Sequence, residues 1–147
     1  MKTDVSKFFK FLGVAEAIAA LSKDPSRKVG AIALDDKHNI IATGYNGFPR
    51  KVKDLPERYN NKELKYKFVS HAEMNLVAQA AYGGRRLDGA TVIITELFPC
   101  STCTKLLIQA GIIRIITNKP NGANWTEDAD YSKIMLHEAE VEVIYIN

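Results

Sequence analysis

Apolar residues at Phe8, Phe11, Leu12, Ala15, Ile18 and Ala19 recur at steps of three and four, which predicts an amphipathic helix from about Asp4 to Ser22. Pro25 disfavours helix in the residue before it, so Ser22-Lys23-Asp24-Pro25-Ser26 is where that helix ends. Two short apolar runs, Val29–Leu34 and Ile40–Thr43, flank the polar stretch 35–39 and predict a hairpin. Gly44-Tyr45-Asn46-Gly47-Phe48-Pro49 then sets an unusual backbone path, and a long polar connection runs on to Ser70. Helical spacing returns over His71–Tyr82, with Ser70 as the expected N-cap and Gly83-Gly84 as the stop. After it come a strand at Ala90–Thr95, a helix at Pro99–Ala110 ended by Gly111, and a strand at Ile112–Thr117. A loop at Asn118–Trp125, a helix at Glu127–Glu138 and a strand at Val141–Ile146 complete the chain. The order α-β-β-α-β-α-β-α-β predicts an α/β fold with a mixed sheet between helix layers.

Length and composition narrow this picture. The 147 residues, 46% hydrophobic and 25% charged, suit one domain over residues 1–147 with a real core. No apolar run approaches the roughly 18 residues of a membrane helix. Residues 1–7 carry charge without the apolar core of a signal peptide, so a cytoplasmic protein is expected. The two cysteines, Cys100 and Cys103, are too few for a secreted disulfide scaffold. A net charge of +3 is too weak to demand a nucleic-acid partner. Between Arg50 and Lys67, however, seven basic residues face three acidic ones. That stretch is either a solvated loop or a positive rim that draws an anionic substrate.

The candidate chemistry lies in His71-Ala72-Glu73 and Pro99-Cys100-Ser101-Thr102-Cys103. Each half alone is common. Together, in this order, they form a zinc deaminase signature: three ligands from His71, Cys100 and Cys103, a fourth position for water, and Glu73 as acid and base. Both halves fall at strand-to-helix junctions, and helix N-termini favour the thiolates that Zn²⁺ needs. Structural zinc usually takes four protein ligands, and only His38 and His137 remain as spare imidazoles. Both are read as surface or satisfied residues. A redox Cys-x-x-Cys would leave His71 and Glu73 without a purpose. Trp125 is either a core aromatic or a pocket wall.

These segments resemble the deoxycytidylate (dCMP) deaminases of the cytidine deaminase superfamily. The resemblance rests on His71-Ala72-Glu73-Met74-Asn75, on residues 97–105 with Gln109-Ala110-Gly111-Ile112, and on residues 23–31. Gly44-Tyr45-Asn46-Gly47-Phe48-Pro49-Arg50 is the segment that separates this family from nucleoside and tRNA deaminases. It covers residues 5 to 117 well and the tail in outline. It implies a three-layer αβα sandwich with a mixed five-stranded sheet, Zn²⁺ at His71, Cys100 and Cys103, Glu73 as proton shuttle, and Asn46 bonded to the substrate's sugar or phosphate. Ala72 is counted with the substrate-binding residues. The resemblance also implies homo-oligomers, often hexamers, and in many relatives activation by dCTP and inhibition by dTTP. Two departures argue against such effectors and a second zinc here. Lys51-Val52-Lys53 stands where relatives carry Gly-Cys, and Asn118-Lys119-Pro120-Asn121 lacks the usual aromatic.

The expected activity is hydrolysis of dCMP to dUMP and ammonia, with the dUMP supplying thymidylate synthesis. A deaminase of a modified pyrimidine nucleotide or a tRNA base is the alternative enzyme. A non-catalytic zinc-stabilised module is the alternative of another class, and it would have no use for Glu73. For the 5′-phosphate, the expected contacts are Ser22, Lys23, Arg27 and Lys28 together with Asn46.

Overall fold

A computed structural model describes residues 5–122 and 125–147; the expectations for residues 1–4 and for 123 and 124 within the predicted loop lie outside them. The apolar runs form strands β1 (Gly30–Leu34), β2 (Ile40–Tyr45), β3 (Thr91–Ile94), β4 (Arg114–Thr117) and β5 (Glu142–Tyr145). The helices are α1 (Ser6–Phe9), α2 (Leu12–Ala19), α3 (Pro56–Asn60), α4 (Lys62–Phe68), α5 (Ala72–Tyr82), α6 (Ser101–Gln109) and α7 (Glu127–Glu138). The strands bond in the order β2-β1-β3-β4-β5. β1 is antiparallel to β2 and β3, whereas β3, β4 and β5 run parallel. The mixed five-stranded sheet is therefore as expected, a hairpin joined to crossovers that each carry a helix.

Alternation along the strands sorts side chains into two apolar layers. Ala31, Ala33, Val92, Ile94 and Ile115 face Leu76 of α5, Leu107 of α6 and Leu136 of α7. Ile32, Leu34, Ile93 and Ile116 face Phe8 and Ala15 of the N-terminal helices. Each of the fully buried Ile and Leu side chains contributes about 1.5–3 kcal/mol. Small residues mark where helices come close. A Cβ on Gly30 would lie 2.6 Å from Ala19 N in α2, and one on Gly44 would lie 2.9 Å from Leu76 Cα in α5. Gly44 thus lets β2 receive the helix that begins at His71.

Three expectations about elements need correction. The N-terminal helix is two pieces, because Phe11 N–H bonds back to Phe8 C=O at 2.9 Å and tightens the chain there. The tightening brings Phe8 and Phe11 onto the His38 ring, at 4.9 and 6.1 Å between centroids. The polar connection to Ser70 is largely helical, as α3 and α4. Pro56 opens α3, and Asn61 caps α4 by accepting from Leu64 N–H at 3.1 Å. No residue of α4 is buried, so the periodicity that reveals other helices is missing. Aromatic contacts hold the segment instead: Phe48 stacks on Tyr59 at 4.1 Å, touches Phe68 at 5.7 Å, and Arg58 lies 4.3 Å over Phe68. Finally, Ser70 does not cap α5. It pairs with Gly47 through two backbone hydrogen bonds, and His71 occupies the cap position with extended backbone.

Candidate active site

The two signature segments meet at the starts of α5 and α6, the latter following the end of β3. His71 is the N-cap of α5 and Cys100 the N-cap of α6, so both leave extended backbone and point off a helix start. Cys103 follows one turn into α6, on the same face. His71 Nδ1 lies 3.5 Å from Cys100 Sγ and 3.5 Å from Cys103 Sγ. The three ligand atoms all lie within 4.8 Å of one another. A tetrahedral Zn²⁺ with ordinary Zn–N and Zn–S lengths puts N and S roughly 3.5 Å apart, so the donor set fits the ion without rearrangement. No other group of this kind occurs among the described residues.

The electrostatics match. The Cys100 thiol is held down at about 4, first by the hydrogen bond with Cys103 and also by the His71 imidazole, while Cys103 is pushed up by its bond to Cys100. Zn²⁺ would take both cysteines as thiolates. His71 is raised above its usual value, chiefly by its hydrogen bond to Cys100. Glu73, one residue beyond the first helical position, is only 6% exposed. Burial pushes its carboxyl up.

A cleft of about 860 Å³ opens over these groups. Its floor holds His71, Ala72, Glu73 and Cys100, one wall holds Leu97 and Phe98, and its rim includes Ser26, Arg27, Lys62 and Lys65. Thr117 Oγ1 donates to Leu97 C=O at 2.9 Å and Asn118 Nδ2 donates to Glu96 C=O at 2.9 Å, which pins the wall to the end of β4.

Of the residues expected to hold a phosphate, Arg27 and Asn46 belong to the lining, whereas Ser22, Lys23 and Lys28 do not. Ser22 is buried and spent on structure: its hydroxyl donates to Asn46 C=O at 2.8 Å and accepts from Asp24 N–H. Lys23 reaches away to Asp54 at 3.0 Å. Lys28 is exposed outside the cleft. Trp125 is 52% exposed, its indole N–H directed at Asp130, and Thr126 rather than Trp125 lines the cleft. Asn46 does border the cleft, yet its amide is committed to the protein. Oδ1 accepts from Val29 N–H at 2.8 Å, and Nδ2 donates to Arg27 C=O at 2.9 Å and to Asp24 at 3.3 Å.

Two cations absent from the expected set, Lys62 and Lys65, come from α4. Lys65 Nζ pairs with Asp24 Oδ1 at 3.2 Å, with the two side chains only 12% and 4% exposed. Asp24 also accepts from the N–H groups of Ser26 and Arg27, so one carboxylate joins α4 to the turn before β1. The excess of basic residues over 50–67 was the signal for these cations; their number pointed to a rim, and only the path of α4 identifies which ones reach it.

Comparison with known proteins agrees with this geometry. Residues 6–119 match the family model described as the cytidine and deoxycytidylate deaminase zinc-binding region. The chain is 35% identical to an uncharacterized deaminase of Aliivibrio fischeri, over 97% of this chain and 95% of the relative. It is 40% identical to the deoxycytidylate deaminase of Mus musculus over 72% of its own length, but it spans 61% of that relative's. The dCMP deaminase of cyanophage S-TIM5, solved in complex with dCMP and dUMP, superposes with a TM-score of 0.73 at 27% identity over 99% of both chains.

Proposed function

The chain belongs to the zinc-binding cytidine and deoxycytidylate deaminase family, and on that premise we propose that residues 1–147 form one catalytic domain that hydrolyses dCMP to dUMP and ammonia. The observation that carries the reading is Glu73: a buried carboxylate that lines the same cleft as His71 and Cys100, two of the three convergent zinc ligands. A purely structural zinc site has no use for that carboxylate. Its raised affinity for a proton suits a group that must both take and give one near neutral pH.

When bound by His71, Cys100 and Cys103, Zn²⁺ lowers the pKa of its water. Glu73 would accept one proton of the attacking water as C4–O forms and pass it to the ring nitrogen next to C4. It would then take the second proton from the C4 hydroxyl and deliver it to the amino group, so that C4–N breaks as C4=O forms and ammonia leaves. Leu97 and Phe98 offer an apolar wall for the base. Among the residues that line the cleft, Arg27 and Lys62 are suited to the 5′-phosphate by charge and Ser26 by its hydroxyl, whereas Lys65 would reach it only by loosening its pair with Asp24. Asn46 acts through the turn it holds, with its own contact to substrate requiring that one of its present partners give way.

The discriminating measurement is kcat/KM for dCMP and deoxycytidine side by side. Phosphate contacts of this kind leave the nucleoside poorer by on the order of a hundredfold, at about 1.4 kcal/mol per tenfold. Equal values would return the chain to the nucleoside deaminases. The proposal includes homo-oligomers, for which Met74 and Tyr82 on the outer side of α5 offer exposed apolar surface; a 16.4 kDa monomer in light scattering at micromolar concentration would refute that part. It also places the activity in the cytoplasm. No helix among the described residues is long and apolar enough to cross a membrane.

A further inference from the structure

The helix that carries both cysteine ligands has its first turn tied to another helix. Ser101 N–H donates to Asp128 Oδ2 at 2.7 Å, and Ser101 Oγ donates to Asp128 Oδ1 at 2.6 Å. A single carboxylate thus takes two short hydrogen bonds from the residue that follows Cys100. Asp128 lies in the first turn of α7, two residues after Thr126, which lines the cleft and caps α7 by accepting from Ala129 N–H at 3.1 Å.

We propose that Asp128 is a positioning residue for the metal centre, locking the start of α6 so that Cys100 and Cys103 present their sulfurs at zinc-binding separation. The first N–H groups of a helix have no partner within it. Cys100 Sγ accepts one of them, from Cys103 N at 3.5 Å, a long contact typical of sulfur. At that length the bond is a weak tie for the helix start. The Ser101 N–H, adjacent to the ligand, is instead fixed by a carboxylate anchored on a separate helix. Charge-assisted bonds of this length are about twice as strong as neutral ones. Their effect on Asp128 is visible: its carboxyl is held below the usual carboxylate range, first by the Ser101 hydroxyl and then by the Ser101 N–H. Partners that orient metal ligands typically change metal affinity 10–100-fold when removed. The clamp concerns zinc retention alone and stands whichever nucleotide is the substrate.

The test compares Asp128→Ala with Asp128→Asn in the zinc-loaded full chain. Asparagine can accept from Ser101 N–H and donate to its hydroxyl, so it keeps the geometry without the charge; alanine removes both bonds. Transfer of zinc to a chromophoric chelator is followed by stopped flow, and the thiolate and d–d bands of the cobalt-substituted protein are recorded. Asp128→Ala is expected to lose zinc about 10–100 times faster and to show shifted, broadened cobalt bands, with Asp128→Asn restoring most of both. Zinc loss at the wild-type rate with an unchanged cobalt spectrum in Asp128→Ala would overturn the proposal. A thermal shift of equal size in both variants with wild-type spectra would also overturn it, because that pattern describes plain helix packing. Should Asp128→Ala not fold, Ser101→Ala, which keeps the backbone bond and loses the hydroxyl bond, is expected to give an intermediate rate, and a wild-type rate there counts against the clamp. Wild-type turnover measured alongside keeps failure of the deaminase assignment separate from failure of the clamp.

Discussion

Gly44→Ala is expected to disable the metal centre from a position that touches no ligand. The added methyl would meet Ala72 C=O, Leu76 N and Leu76 Cα, the last at 2.9 Å. All three are backbone atoms of α5, so no side chain can swing aside. Relief to ordinary carbon contact requires roughly 1 Å of movement between β2 and α5. His71 and Glu73 ride on the first turn of that helix, whereas Cys100 and Cys103 ride on α6. A shift of α5 relative to α6 therefore stretches the His71-to-sulfur separations, and metal–ligand lengths tolerate only about 0.2 Å. Overpacking costs about 1–3 kcal/mol, and a backbone clash belongs at the upper end. For a chain of this length that is about 6–12 °C in Tm. Two companion variants isolate the cause. Gly30→Ala meets Ala15 and Ala19 of α2, so it should cost similar stability while the folded protein keeps its zinc affinity. Gly47→Ala has open space around its Cβ and should do neither. Tm comes from calorimetry and zinc affinity from chelator competition at 20 °C below Tm, where roughly all of each variant is folded. Wild-type zinc affinity in Gly44→Ala, or equal loss in Gly30→Ala, would refute the argument.

Glu73→Gln should retain zinc and fold but lose more than the 10²–10⁴-fold typical of one general acid–base step, since one group serves several proton transfers; turnover above a tenth of wild type would remove it from the mechanism. Cys103→Ser should release the metal and lower Tm together, because the binding energy of a buried ligand is folding energy; full zinc content by atomic emission would contradict the assignment. Lys65→Met strands Asp24, at 4% side-chain exposure, and should cost about 3 kcal/mol, the low end for a broken buried pair because Asp24 keeps its N–H donors. Lys23→Met breaks an exposed pair and should cost under about 1 kcal/mol in the same urea titration; equal losses would mean that burial does not set the difference.

Much of this protein is local information. His71-Ala72-Glu73 and Pro99-Cys100-Ser101-Thr102-Cys103 could be read as a zinc site because ligand chemistry is carried by residue type and short spacing, which folding does not change. The central strands were legible because helices cover both faces of the sheet, so that they read as short continuous apolar runs, and α7 spans Glu127–Glu138 as expected. Tertiary structure decided the rest. Whether Ser22 and Lys23 hold a phosphate or hold the turn depends on where Asn46 and Asp54 arrive in space, from 24 and 31 residues away. Helix α4 buries no residue and so shows no apolar periodicity; the basic excess over 50–67 points to a positive rim, and only the path of α4 selects Lys62 and Lys65 from it. The Asp128 clamp on Ser101 joins residues 27 apart on different helices, at a position where sequence shows only an acidic helix start. Spacing along the chain determines which groups can share a helix turn. It does not determine which helices lie side by side, because that is set by small residues such as Gly44 and by a core that forms only when all the layers pack together.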